Sequence, residues 1–132
     1  MDNFLKVIIV LLTILLSNAS YSCQKLHQNY LDPEVILNKE SRKKGIKVLD
    51  ARAVRSPDFQ KFYFVQYKLE VPKEGIVYPM FAMNKPFSST FGLIYSMDEL
   101  AISVSGLGDG RKTQAKFSQL DRGFSEAKRC LK

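Results

Sequence analysis

KFYFVQYKLEV (Lys61–Val71) is the stretch on which the fold turns. Tyr63, Val65, Tyr67, Leu69 and Val71 share one side of an alternating pattern, and Gln66, Lys68 and Glu70 share the other. Successive side chains of a strand point to opposite faces, so this pattern predicts a strand with one face in a core. Aromatic and β-branched residues, which pack well on a pleated surface, supply most of it. Pro72-Lys73-Glu74-Gly75 then supplies a turn.

Further strands lie on either side. IKVLDARAV (Ile46–Val54) reads as a strand before it, and IVYPMFAM (Ile76–Met83) as one after it. Pro79 cannot donate to a ladder and marks an edge or a bulge. NKPFSST is a loop, and FGLIYSM (Phe91–Met97) gives a fourth strand. Short connections between successive strands favour antiparallel neighbours. DELAISVSGLGDG supports two readings. Asp98 can cap a helix through about Val104, whereas Ile102 and Val104 alternate as in a strand; the cap favours the helix.

Helical signals flank the strands. In LDPEVILNKESRKKG, Asp32 can cap, Pro33 fits the first helical position, Glu34 suits the positive end and Gly45 can close the helix. Arg42, Lys43 and Lys44 then fall in the last turn, where cations meet exposed carbonyls. LDRGFSEAKRCL places Leu120, Phe124, Ala127 and Leu131 on one stripe with Cys130 beside it. The expected fold is α+β: a roughly four-stranded antiparallel sheet with N- and C-terminal helices packed on one face, forming a single domain over 23–132.

Residues 1–22 read as an export signal. A short start with Lys6 precedes an apolar run, Val7–Leu16, broken only by Thr13, and small residues Ser17, Ala19, Ser20 and Ser22 follow. Spanning a bilayer takes about 20 apolar residues, more than this run supplies. Cleavage after Ala19 or after Ser22 satisfies the small-x-small rule, and either one delivers the chain to the periplasm or the exterior. Cys23 then has two readings. A bacterial lipoprotein signal places Cys first, usually with Leu three residues earlier, but Ser20 stands there, followed by bulky Tyr21. The alternative is arithmetic: the chain has two cysteines, Cys23 and Cys130, and an even count in an exported small domain points to a disulfide.

Charge narrows the partners. Lys and Arg number 20 against 13 Asp and Glu, a net +7, which favours an acidic protein or an envelope polyanion. A membrane enters only if Cys23 is lipidated. Chemistry-bearing constellations are sparse. His27 is the one histidine, and with Cys23 and Cys130 it makes a poor zinc set. A disulfide would also remove the thiolate that Cys–His catalysis needs. No serine sits in a G-x-S-x-G elbow. GLGDG (Gly106–Gly110) lacks the spacing and the Lys-Ser/Thr of a P-loop, and Asp109-Gly110 reads as a tight turn. Asp98 and Glu99 are adjacent and point apart. Phe62 and Phe64 alternate against Tyr63 and Tyr67, which leaves no broad platform for stacking bases and argues against nucleic acid. No catalytic, cofactor or metal residue is assigned.

The early Cys, FYFVQYKLE, GLIYSMDELA and the terminal DRGFSEAKRC together give a resemblance. The chain resembles small exported bacterial proteins of unknown function with paired N- and C-terminal cysteines. That resemblance implies the α+β fold and the Cys23–Cys130 pairing, and brings no activity. The function expected is a non-enzymatic exported binding module, in its sharpest form an inhibitor or immunity-type protein. The alternatives are a small exported hydrolase with a scattered site, or a lipid-anchored envelope protein.

Overall fold

A computed structural model of the chain describes residues 22–37, 45–59, 61–113 and 116–132. The expected export signal up to residue 21, and residues 38–44 with most of the expected first helix and its basic cluster, lie outside the described residues. The core element is a six-stranded antiparallel sheet: β1 (Gln24–Lys25), β2 (Lys47–Arg55), β3 (Tyr63–Val71), β4 (Gly75–Val77), β5 (Met80–Met83) and β6 (Ile94–Ser96). The spatial order is β1-β2-β3-β5-β6, with β4 also paired to β3. The expected strand over Ile76–Met83 is present in two pieces. Both keep one register on β3, from Leu69↔Val77 to Gln66↔Met80, and Pro79 accepts from Tyr67 N–H at 3.1 Å but has no N–H to return. The proline interrupts the ladder without shifting it.

Both faces of the sheet are covered. Val65, Tyr67, Leu69 and Val71 of β3 join Ala51, Ala53, Phe81 and Met83 beneath Tyr30, Ile36, Ala101 and Val104. Phe64 joins Val54, Met80 and Ala82 beneath Met97, Phe117, Phe124 and Ala127 on the other side. Two expectations are thereby corrected: the sheet has six strands rather than four, and the N- and C-terminal helical segments lie on opposite faces. The row of β3 that holds Gln66 faces solvent only toward its far end, at Glu70. Gln66 is 0% exposed; its Nε2 donates to Lys128 O at 2.7 Å and its Oε1 accepts from Leu131 N–H at 2.8 Å. A buried amide with both ends satisfied is tolerated, and this one ties the chain end to the central strand.

Among the described residues three short helices complete the layers: α1 (Pro33–Ile36), α2 (Glu99–Ser105) and α3 (Arg122–Ala127). Asp98 Oδ1 accepts from Ala101 N–H at 2.7 Å to start α2, and Gly106, at φ 71°, ends it in the left-handed region. The helical alternative for this segment is therefore the one adopted. Asp121 starts α3 by accepting from Gly123 N–H at 2.7 Å, while its other oxygen accepts from the buried Ser56 hydroxyl at 2.7 Å. Because α3 begins after Leu120, that residue drops out of the expected stripe, while Phe124 and Ala127 are buried as foreseen.

Cys23 and Cys130 are joined by a disulfide, with their Cα atoms 5.8 Å apart across 107 positions of sequence. β1 pairs Gln24 with Ala53, and one further step of that register sets Cys23 opposite Val54, which faces the same layer as Cys130. With its sulfur in this bond, Cys23 has no thiol to carry a lipid thioether. Closing a loop of this size removes unfolded-state entropy worth roughly 4–5 kcal/mol in the chain-entropy model.

The seat of α3 leaves no space for a side chain at Gly123. A Cβ there would lie 2.7 Å from the Arg55 carbonyl oxygen and 3.2 Å from Ser56 Cα. Gly123→Ala is expected to lower stability by about 1–3 kcal/mol, read by thermal or denaturant unfolding. An unchanged midpoint would contradict this packing of α3 on β2.

Candidate binding surface

The residues singled out by their chemistry mostly serve the fold. His27 Nδ1 accepts from Asn29 N–H at 3.2 Å and caps a 3-10 turn, Gln28–Leu31. Among the described residues no group of three or more His, Cys, Asp or Glu is placed to hold a metal ion. Asp98 and Glu99 do point apart: Asp98 caps α2, and Glu99 meets Arg111 at 2.9 Å. Burial pushes the Asp98 carboxyl above the usual carboxylate range, against the pull of its hydrogen bonds from Ala101 and Met80 N–H. Asp109 forms the expected turn, accepting from Arg111 N–H at 3.0 Å. The Arg111 guanidinium grips its two oxygens at 2.9 and 2.8 Å and holds its carboxyl below the usual range. Phe64 and Tyr67 are buried under opposite layers.

A different group of residues reaches solvent. The segment from Asn84 to Leu93 displays Phe87, Phe91 and Leu93, the last two 52% and 53% exposed. Its backbone is strapped onto the 3-10 turn. His27 N–H donates to Pro86 O at 2.9 Å, Asn29 Nδ2 to Ser89 O at 3.2 Å and Tyr30 Oη to Lys85 O at 2.8 Å. Gly92 N–H donates back to Tyr30 Oη at 3.4 Å. Burial raises the Tyr30 phenol above its ordinary range, so it stays protonated as the donor of this clasp. Tyr67 Oη in turn donates to Tyr30 O at 2.9 Å, which anchors the turn on β3. The exposed rings rest edge-on: Phe91 on Tyr30 with centroids 5.2 Å apart, Phe87 on Tyr63 at 5.0 Å.

Phe91 and Leu93 open onto a groove of about 580 Å³, lined also by Val35, Ile94 and Leu107, with Asp32 and Glu34 at its acidic side. It follows the outer edge of β6. Ser96 turns its N–H and C=O outward there, to Gly108 O and from Gly110 N–H, both at 2.8 Å. Ile94, two residues earlier, turns its own pair to the same side. This apolar display was not legible beforehand, because FGLIYSM reads as one strand whereas the strand starts only at Ile94. The available signal was NKPFSSTFGL: two phenylalanines amid Pro, Ser and Gly, in a stretch with no periodicity to bury them.

The opposite face carries a second, chemically distinct groove. It is about 500 Å³, formed by Gln119, Leu120, Phe124, Ser125, Lys128, Arg129 and Lys132. Compared with known protein families, curated proteins and solved structures, the chain matches none.

Gly92 makes the loop clasp possible. A Cβ on it would lie 2.0 Å from Asn84 Oδ1, the acceptor of Leu93 N–H at 2.8 Å. Gly92→Ala is expected to displace Asn84 and cost about 1–3 kcal/mol. Adding Asn84→Ala should recover part of that loss, since it removes the clashing group. Strictly additive unfolding energies in this cycle would contradict the clasp.

Proposed function

We propose that the chain is a non-enzymatic binding module, exported into an oxidising compartment, that holds a segment of a partner protein in the groove beside β6. The observation that carries this is the exposure of Phe91 and Leu93 on a loop already fixed by hydrogen bonds to the N-terminal turn. Large apolar side chains held in water without a core to fill mark an interaction surface. A loop ordered in advance spares the entropy that ordering would cost on association. Asp32 and Glu34 beside an apolar floor select a segment with apolar side chains flanked by a cation. An extended segment would also find the outward N–H and C=O of Ile94 for main-chain pairing.

An inhibitor or immunity-type protein is the narrower form of this proposal, in which the held segment belongs to a secreted hydrolase or toxin. The export signal and the disulfide support the compartment. The hydrolase alternative draws less support: Asp98, the carboxyl raised by burial, is committed to capping α2 and lines neither groove.

A photo-crosslinking residue in place of Leu93 tests the proposal in envelope extract, with the same residue at exposed Lys73 as control. A discrete crosslinked protein is expected from position 93, and Phe91→Ser should abolish it while still unfolding cooperatively, with at most a modest drop in midpoint for the lost ring contact on Tyr30. Equal crosslinking from both positions, or none from position 93, would overturn the proposal.

A further inference from the structure

We propose that the groove on the α3 face docks the protein onto an anionic lipid surface, with no covalent lipid. Leu120 is 93% exposed, the most solvated large apolar residue among those described. It is fixed at a turn: Leu120 N–H donates to Ser118 Oγ at 3.0 Å, and Asp121 N–H to Ser118 O at 3.2 Å. The next residue, Asp121, turns its carboxylate inward to Ser56 and Gly123, which takes that negative charge off the surface. Lys128, Arg129 and Lys132 line the same groove, and Glu126 beside them is engaged by Arg129 at 2.8 Å. Lys132 Nζ lies over the Tyr78 ring, 5.6 Å from its centroid.

Cations alone would serve any polyanion. A projecting leucine held among them gains free energy only where an acyl layer receives it, and cations around an apolar wedge are the arrangement that seats proteins at a headgroup boundary. The net charge of +7 adds long-range attraction to the same surface. The geometry also leaves the other groove usable: Val35, Ile94 and Leu107 pack against the opposite face of the sheet. A protein seated on lipid through α3 presents the Phe91–Leu93 groove away from the membrane. This inference stands on α3 and Leu120, independently of the partner proposed for that groove.

The test is co-sedimentation of the disulfide-bonded exported protein with phosphatidylglycerol-containing vesicles and with pure phosphatidylcholine vesicles, beside binding to soluble polyphosphate. Of the two vesicle types, binding is expected only to the anionic one, and it should weaken as salt rises. Lys128→Ala and Lys132→Ala should each weaken it about fivefold. Leu120→Ser should weaken vesicle binding about tenfold while leaving polyphosphate binding unchanged. These side chains face solvent, so each variant should fold with an unfolding midpoint close to that of the parent. Lys73→Ala, in the β3–β4 turn, should have little effect. No binding to anionic vesicles would overturn the proposal. So would equal losses from Lys73→Ala and Lys128→Ala, which would assign the effect to diffuse charge. Unchanged vesicle binding by Leu120→Ser would overturn it in favour of a soluble polyanion.

Discussion

The Cys23–Cys130 bond is the constraint that the rest of the molecule leans on. The elements at the two ends are short: β1 has two residues, α1 four and α3 six. Helices of this length do not persist alone in water, where even favourable sequences need about 12–15 residues. The bond holds the first of these elements against the last, and the sheet lies between them. Gln66 reinforces the same junction from the middle strand by bonding Lys128 and Leu131, and Asp121 does so from β2 through Ser56. Each surface hangs from one of the ends so secured. The 3-10 turn carries the loop that shows Phe91 and Leu93, and α3 carries the basic groove.

Legibility in the sequence followed how local each feature is. The β3 alternation, the Asp98 cap, the Asp109 turn and the cysteine pairing rest on neighbouring residues or on simple arithmetic, and each is found in the structure. The second covered face was hidden because Gln66 reads as solvent-facing, and only tertiary contact with residues 62 and 65 positions away satisfies its amide. β1 is too short to carry a period. Leu120 fits a helical stripe on paper, but the Asp121 cap sets the helix start one residue later and leaves it outside. The exposed loop was invisible for a related reason: its conformation is dictated by the 3-10 turn more than fifty residues earlier.

Several arginines are committed to local ion pairs, which leaves the net charge as it is. Arg52 pairs with Asp50, Arg111 with Asp109 and Glu99, and Arg129 with Glu126. Arg111 in particular works as a structural clip on the Asp109 turn. The two grooves differ in character: one is apolar with two carboxylates beside it, the other sets cations around a projecting leucine.

Hydrogen exchange on the oxidised protein and on the reduced, alkylated protein, read residue by residue, tests the central role of the disulfide most directly. Opening the bond should cost several kcal/mol, bounded by about 5, and should release protection first at residues 27–31, the 84–93 loop and 121–131. The β2–β3–β5 ladder should remain the last region protected. Equal stability in both states, with the same protection at the 3-10 turn and at α3, would contradict the account.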